Sequence, residues 1–277
     1  MGDCGTVANL SETNSASPPA SEPISVLVTG FGPFKSNAVN ASHLIAASLP
    51  SSITLPTKGP SATPREILIH AHPSPIPVAY ASVRTELPAI LEDFAQKHNG
   101  RRPDLIVHIG IASTRGYYSV ETQAHRDNYQ ITDIHGNIGF EDGEKLWKEK
   151  GLPAVLKPGP AKTSDEADNN VASPALSPRI VPYPAEDHFL ETWKSFAPPG
   201  TDIRISEDAG RYLCEFIFYT SLSQALQEGR DRASVFFHVP SWTDEQSLET
   251  GRQVAIALIK AMVTCWIDEA PQSQQPT

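Results

Sequence analysis

Cys214, His238 and Glu121 have side chains that could do covalent chemistry together. Cys214 lies in the apolar stretch AGRYLCEFIFYTSL, His238 in ASVFFHVP, and Glu121 at the end of IASTRGYYSVE. A thiol becomes a strong nucleophile beside an imidazole, and a carboxylate can fix the tautomer of that imidazole and stabilise its charged form. Together the three residue types are those of a cysteine hydrolase.

Taken singly, each of these residues also has a structural interpretation. A free cysteine is among the most buried residue types, which favours a core thiol at Cys214 and again at Cys265, in AMVTCWI. His238 alone could be a hydrogen-bonded histidine at a strand end, and Glu121 alone a solvated loop acid. Only the combination favours function.

The elements that must position these residues alternate between strand and helix. Short apolar runs predict strands, and between them the apolar spacing predicts helices, the pattern of a mostly parallel sheet covered on both faces. We therefore predict a three-layer α/β/α domain. The predicted strands are residues 25–30, 65–71, 104–110, 201–206 and 233–240.

The same strand pattern predicts where the reactive side chains meet. Ligands of open α/β sheets bind beyond the carboxyl ends of the strands. Glu121 follows the strand at 104–110, Cys214 follows the strand at 201–206, and His238 ends the last strand. We therefore expect all of them at one rim of the sheet.

Composition narrows the classes of protein that remain. The 277 residues carry a net charge of −10 and no Lys/Arg cluster, which argues against a nucleic-acid partner. No stretch approaches the roughly 18 apolar residues of a membrane span, and the N-terminus lacks a signal peptide, although MGDCGT loosely fits the N-myristoylation pattern. Free cysteines without a secretory signal predict a cytoplasmic protein. His70, His72 and His108 lack tight zinc-ligand spacing, so we expect no metal site.

The polar, Pro-rich segments predict the domain organisation. Residues 1–23 and 268–277 are expected to be disordered tails, and residues 24–267 a single domain. Within that domain, the segment 152–187 is rich in proline and polar residues, which predicts an insertion that forms a surface excursion.

Four segments together resemble the pyroglutamyl peptidase I family of cysteine peptidases, family C15. AGRYLCEFIFYTSL is similar to the segment around that family's nucleophile, and VLVTGFGPF with VNAS is similar to its N-terminal signature. DLIVHIG followed by Glu121, and SVFFHVP around His238, complete the match in the same order. The resemblance covers roughly residues 24–267.

The resemblance implies a role for each matched residue. Cys214 would be the nucleophile at the start of a helix that favours its thiolate, His238 the general base and then acid, and Glu121 the residue that orients His238. Phe31 and Phe34 would sandwich the flat lactam ring of a pyroglutamyl residue, supported by Asn40. The family needs no cofactor and removes an N-terminal pyroglutamyl (5-oxoproline) residue from peptides. Its members occur as monomers and as homo-oligomers.

Two departures from the family pattern leave alternatives open. Arg126 stands where the family usually has an asparagine, and Ser241 with Trp242 replaces a more usual second proline. The alternatives are a non-catalytic binder of blocked N-termini, and a cysteine hydrolase of another small amide. An intact set of Cys214, His238 and Glu121 favours the peptidase.

Overall fold

The computed structural model describes residues 22–34, 37–56, 64–161 and 186–268. Within these residues, seven strands form one sheet in the order β2-β3-β1-β4-β9-β5-β8, and a separate ribbon pairs β6 with β7. The strands are β1 (Ile24–Gly30), β2 (Ser52–Leu55), β3 (Arg65–Ala71), β4 (Leu105–Ile111), β5 (Tyr118–Glu121), β6 (Ala124–His125), β7 (Val155–Leu156), β8 (Ile203–Ser206) and β9 (Ser234–Val239).

Helices cover both faces of the sheet, so the predicted three-layer α/β/α architecture is confirmed. One apolar core packs α1, α4 and α6 against the sheet, and a second packs α2 and α5 against its other face. The helices are α1 (Ala41–Ser48), α2 (Tyr80–Lys97), α3 (Lys145–Glu149), α4 (Glu186–Phe196), α5 (Leu213–Gln227) and α6 (Glu245–Val263); π-helical turns at Phe140–Glu144 and Thr264–Asp268 adjoin α3 and α6.

The central strands are buried on both faces, as their near-continuous apolar sequence predicts. Every residue of β4 and of β9 is buried. Alternate residues of each strand enter opposite cores: Val107 and Ile109 of β4 pack on the α1–α6 side, whereas Ile106 packs on the α2–α5 side. The reactive side chains lie among the residues that face the α2–α5 side of the sheet.

The expectation of one rim formed by carboxyl ends is wrong for two strands. β3, β1, β4 and β9 run parallel. However, β5 pairs antiparallel with β9, and β8 runs parallel to β5. The carboxyl end of β8 therefore points opposite to that of β9, and Glu121 lies level with Phe236 in the body of the sheet.

The segment 152–187 is only partly the surface excursion that was predicted. Leu152 and Leu156 are buried, β7 pairs with β6, and Gly159 forms a bridge with Arg232. At its other end, residues 186 and 187 begin α4, which no prediction included. Residues 162–185 lie outside the described residues, as do residues 1–21 and 269–277 of the predicted tails.

Of the helices in the described part of the chain, none is both long enough and apolar enough to cross a membrane.

Candidate active site

Glu121 and His238 form a buried acid–imidazole pair. His238 Nδ1 lies 2.7 Å from Glu121 Oε1; Glu121 is 0% exposed and His238 is 4% exposed. The strand register explains the contact, because Ser119 of β5 lies opposite His238 and Glu121 is on the same face two residues on. With Nδ1 bound to the carboxylate, Nε2 is the ring atom that can accept a proton from a nucleophile.

Cys214 lies beside this pair on the α5 face of the sheet. A Cβ built on Gly110 would be 3.0 Å from Cys214 Sγ, and Gly110 is paired with His238 across β4 and β9. Since neighbouring strands are about 4.8 Å apart, the thiol and the imidazole are within reach of each other. The structure therefore brings Glu121, His238 and Cys214 together, as the sequence predicts.

The start of α5 holds the Cys214 thiol. Tyr212 is the N-cap residue and its side chain makes no capping hydrogen bond, so the first amides of the helix are not satisfied by a cap. The chain enters this helix through Gly210 and Arg211, both with positive φ (85° and 32°). A turn of this kind directs Cys214 toward the sheet while the apolar remainder of the helix is anchored in the core.

The sequence predicts a helix start that favours the Cys214 thiolate, but burial of the thiol opposes this effect. Burial raises the pKa of the Cys214 thiol to about 12, and the nearby Glu121 carboxylate adds to the shift, whereas Arg115 opposes it. The thiol lies next to Gly110 and packs against the α2–α5 core, where a thiolate loses water. These effects exceed the stabilisation from the helix N-terminus.

Glu121 by contrast remains ionised. Burial alone would raise the pKa of this carboxyl group, but the hydrogen bond and charge of His238, together with the hydrogen bond from Arg115, hold the pKa below its usual value. Arg115 Nη1 lies 2.6 Å from Glu121 Oε1. The carboxylate can therefore fix the tautomer of His238 at neutral pH.

Phe31 and Phe34 lie on the loop that follows β1. Phe31 is 4% exposed and its backbone bridges to Ile76, whereas Phe34 is half-buried and its ring lies 6.2 Å from that of Tyr212. Because Tyr212 precedes Cys214 by two residues, this aromatic contact connects the Phe34 loop to the nucleophile helix. The geometry is compatible with an aromatic pocket next to the thiol.

Asn40 supports this loop through its own hydrogen bonds. Its Nδ2 donates to the carbonyl of Gly32 (2.8 Å), and its Oδ1 accepts from the backbone N–H (3.1 Å) and hydroxyl (2.7 Å) of Ser42. The same side chain caps α1. Its bonds give Asn40 a role in fixing the loop that carries Phe31 and Phe34.

Arg126 contacts the chain beyond α3. Its Nη1 donates to the carbonyl of Leu152 (2.6 Å), and its guanidinium pairs with Asp127. Its backbone N–H also binds the carbonyl of Ala154. The arginine that replaces the family's usual asparagine therefore holds the described start of the insertion against the domain.

Two residues of the site were missed from the sequence. Arg115, in the loop between β4 and β5, contacts the acid, and no spacing rule identifies an arginine six residues before it. Tyr212 was within reach of prediction, because an aromatic residue two positions before a nucleophile must lie at the same helix start.

No metal centre accompanies these residues in the part of the chain that the structure describes: no group of three or more His, Cys, Asp and Glu side chains there could hold an ion. The second free thiol, Cys265, is buried in the α1–α6 core, as predicted.

The fold matches solved structures of pyrrolidone carboxyl peptidases. Pyrrolidone carboxyl peptidase from Thermococcus litoralis aligns with a TM-score of 0.59 at 20% identity, over 87% of this chain and 94% of that one. The enzyme from Pyrococcus furiosus aligns with a TM-score of 0.60 at 21% identity, over 87% and 99%. The domain therefore has the α/β fold of these peptidases.

Sequence comparison identifies the family. No protein-family model matches the chain. Pyroglutamyl-peptidase 1 of Rattus norvegicus and of Homo sapiens are each 31% identical over 215 residues, which is 78% of this chain and 78% of each relative. Pyrrolidone-carboxylate peptidase of Pyrococcus furiosus is 26% identical over 215 residues, 78% of this chain and 80% of that protein. The chain belongs to the pyroglutamyl peptidase I family of cysteine peptidases, as its motifs predict.

Proposed function

We propose that this protein hydrolyses the amide bond after an N-terminal pyroglutamyl residue, with Cys214 as nucleophile, His238 as general base and acid, and Glu121 as the residue that orients His238. The observation that carries the proposal is the buried Glu121–His238 hydrogen bond of 2.7 Å. His238 lies on β9, next to β4, whose Gly110 is beside the Cys214 thiol. Membership of the family supplies the substrate class.

The neutral thiol sets the order of the first step. As Sγ bonds to the substrate carbonyl carbon, the thiol proton moves to His238 Nε2 and the carbonyl electron pair moves onto oxygen. The amides at the start of α5 can stabilise this oxyanion. Collapse expels the peptide amine, which takes the proton from His238 and leaves a thioester.

Water completes the cycle at the same residues. His238 accepts a proton from the water as it attacks the thioester carbonyl, and the proton passes to Sγ as the thioester breaks. Pyroglutamate leaves and the neutral thiol is restored. Glu121 stays ionised throughout and stabilises each imidazolium state.

The pocket chemistry supports an uncharged lactam. Phe31, Phe34 and Tyr212 provide apolar surface and π faces beside the thiol. A flat lactam without charge can be buried there with few hydrogen bonds, whereas a free ammonium would be desolvated without a partner. The expected substrates are therefore peptides blocked by pyroglutamate.

The test compares two cysteine variants. Release of a fluorescent amine from a pyroglutamyl amide is measured for the wild type, Cys214→Ala and Cys265→Ala under reducing conditions. We expect turnover by the wild type and by Cys265→Ala, whose thiol lies in the other core, and none above background by Cys214→Ala. Matched prolyl and glutaminyl amides should not be cleaved.

Other results would select an alternative. A folded wild type that binds the pyroglutamyl amide without turnover would be a binding protein. Turnover of another small amide in preference to the pyroglutamyl one would indicate a different cysteine hydrolase.

We also propose a cytoplasmic location. Cys214 and Cys265 are both free thiols, which a reducing compartment maintains. Fractionation of the cells that make the protein tests this, and recovery with a secreted fraction would contradict it.

A further inference from the structure

Arg115 makes three polar contacts at the edge of the candidate site. Its Nη1 donates to Glu121 Oε1 (2.6 Å) and to Ser119 Oγ (2.7 Å), and its Nη2 donates to the carbonyl of Asp208 (2.9 Å). The side chain of Arg115 is 21% exposed, whereas that of Glu121 is 0% exposed. An arginine thus covers the buried acid from the solvent side.

The contact to Glu121 falls on the oxygen that His238 also uses. Glu121 Oε1 accepts from both His238 Nδ1 and Arg115 Nη1. A fully buried carboxylate is stable in its charged form only when opposite charge and hydrogen bonds replace its lost water. The guanidinium of Arg115 does not lose its proton in proteins, so it is a permanent positive charge in contact with this carboxylate.

The contact to Asp208 reaches the other half of the site. Asp208 lies in the loop between β8 and α5, which continues through Arg211 to Tyr212 and Cys214. Arg115 therefore links the acid on β5 to the loop that delivers the nucleophile. One planar guanidinium can do this because its donors point in fixed directions.

We propose that Arg115 is a positioning residue of the hydrolysis, which keeps Glu121 ionised against His238 and fixes the loop that leads to Cys214. This inference rests on the proposed function. Arg115 touches neither the aromatic pocket nor the thiol, so its loss acts on the chemical step and not on lactam binding.

Arg204 provides a matched control. It lies on β8, its guanidinium stacks 3.9 Å above the ring of Tyr117, and it pairs with Asp202 (2.7 Å). It therefore has the same charge and a similar position at this end of the sheet, with its partners outside the site. Arg204→Met removes an arginine without removing a contact to Glu121.

The experiment measures the pH profiles of kcat and kcat/KM on a pyroglutamyl amide, with melting temperatures, for the wild type, Arg115→Met, Arg115→Lys and Arg204→Met. We expect Arg115→Met to lower kcat about tenfold or more with little change in KM. Its acid limb should move to higher pH, because Glu121 then takes up a proton more readily. Arg115→Lys should restore part of the shift, and Arg204→Met should match the wild type.

Two results would overturn the inference: a profile and kcat for Arg115→Met equal to those of the wild type, or a fall in kcat with an unmoved acid limb that Arg204→Met reproduces. Should Arg115→Met fail to fold, the kcat of Arg115→Lys tests the inference, because lysine keeps the charge and loses the two-nitrogen hydrogen bonding of the guanidinium. A kcat equal to that of the wild type would then overturn the inference.

A wild type without turnover would refute the proposed function and leave the inference about Arg115 to a second readout. Iodoacetamide alkylation of Cys214 requires no substrate. Since the charge of Arg115 favours the Cys214 thiolate, Arg115→Met should be alkylated more slowly at a given pH than Arg204→Met. Equal rates would then overturn the inference.

Discussion

At the scale of single residues, the identities of the three reactive side chains could be predicted from the sequence, but the state of the thiol could not. The type of each residue and its position after a strand indicated Cys214, His238 and Glu121. The high pKa of Cys214 depends on its burial against the core and on the nearby Glu121 carboxylate. Such packing belongs to distant parts of the chain and has no local sequence signal.

This state of the thiol predicts an alkylation profile. A Cys214 pKa of about 12 means that the fraction of thiolate rises through the whole accessible alkaline range. The rate of iodoacetamide alkylation should therefore keep increasing from pH 7 to pH 10, with Cys214→Ala giving the background from Cys4 and Cys265. A plateau already below pH 8 would indicate a resting thiolate and contradict the prediction.

Gly110 is predicted to be essential for the geometry of the nucleophile. The Cβ of Gly110→Ala would lie 2.5 Å from Phe236 Cζ and 3.0 Å from Cys214 Sγ, so the Phe236 ring and the thiol must both shift. A shift of about 1 Å in a reacting group can cost roughly 100-fold in rate. We expect kcat on the pyroglutamyl amide to fall by about that factor.

The control for this variant is Gly116→Ala, in the loop that follows β4, where the nearest atom to the added Cβ is 3.9 Å away. It should keep wild-type kcat. Full activity in Gly110→Ala would show that the site tolerates displacement of the thiol.

At the scale of elements, the helices were predictable where their apolar spacing was long. α1, α2 and α6 lie within segments whose apolar spacing indicates a helix, and α5 extends one residue, Gln227, beyond such a segment. α4 was missed although Phe189, Trp193 and Phe196 have helical spacing, because the Pro-rich stretch before it obscured its start. β2 and β5, of four residues each, were also missed.

The length of the connection between β4 and β5 predicts the direction of β5. Only residues 112–117 separate β4 from β5, and a parallel crossover needs roughly a dozen residues or more. Opposite direction was therefore the physical consequence of a short connection. The insertion of β9 between these two strands could not be read from local sequence.

The docking of α1 on β1 gives a prediction for the aromatic loop. A Cβ at Gly30 would lie 2.6 Å from the Cα of His43 and 2.7 Å from the carbonyl oxygen of Ser42. Backbone atoms cannot move aside as side chains do, so Gly30→Ala must displace α1. Overpacking of this kind costs about 1–3 kcal/mol.

Because Asn40 and Ser42 at the start of α1 fix the loop of Phe31, Gly30→Ala should also raise KM for the pyroglutamyl amide. The free energy of unfolding in urea and KM measure the two effects. Gly32→Ala is the control, since its nearest neighbour is 3.5 Å from the added Cβ; the same change in both variants would contradict a specific effect of α1.

At the scale of the whole molecule, a buried histidine couples stability to pH. His108 of β4 is 0% exposed and its Nδ1 lies 2.8 Å from Thr29 Oγ1. Burial lowers the pKa of His108 to about 3 from its ordinary 6.5. The folded protein thus holds this histidine neutral where the unfolded chain would protonate it.

The sign of the effect follows from that depressed pKa. Neutral His108 makes its full contribution to the free energy of unfolding above pH 6.5. That contribution is lost as the pH falls toward 3, by up to about 1.4 kcal/mol per pH unit. Urea unfolding at pH 7 and pH 5 should show a smaller loss for His108→Gln than for the wild type. His135→Gln, at an exposed loop position, should lose as much as the wild type; equal losses in all three proteins would contradict the prediction.

The central position of β9 has a consequence for how the protein is made. β9 is the last strand in the chain, yet it lies between β4 and β5. During synthesis from the N-terminus, the edges of β4 and β5 that face each other across this gap have no partner until residues 234–239 leave the ribosome. Open strand edges invite association with other chains. A nascent chain stopped before β9 should therefore be inactive, because it lacks His238, and prone to aggregate. The same six residues supply the catalytic imidazole and cover the open strand edges.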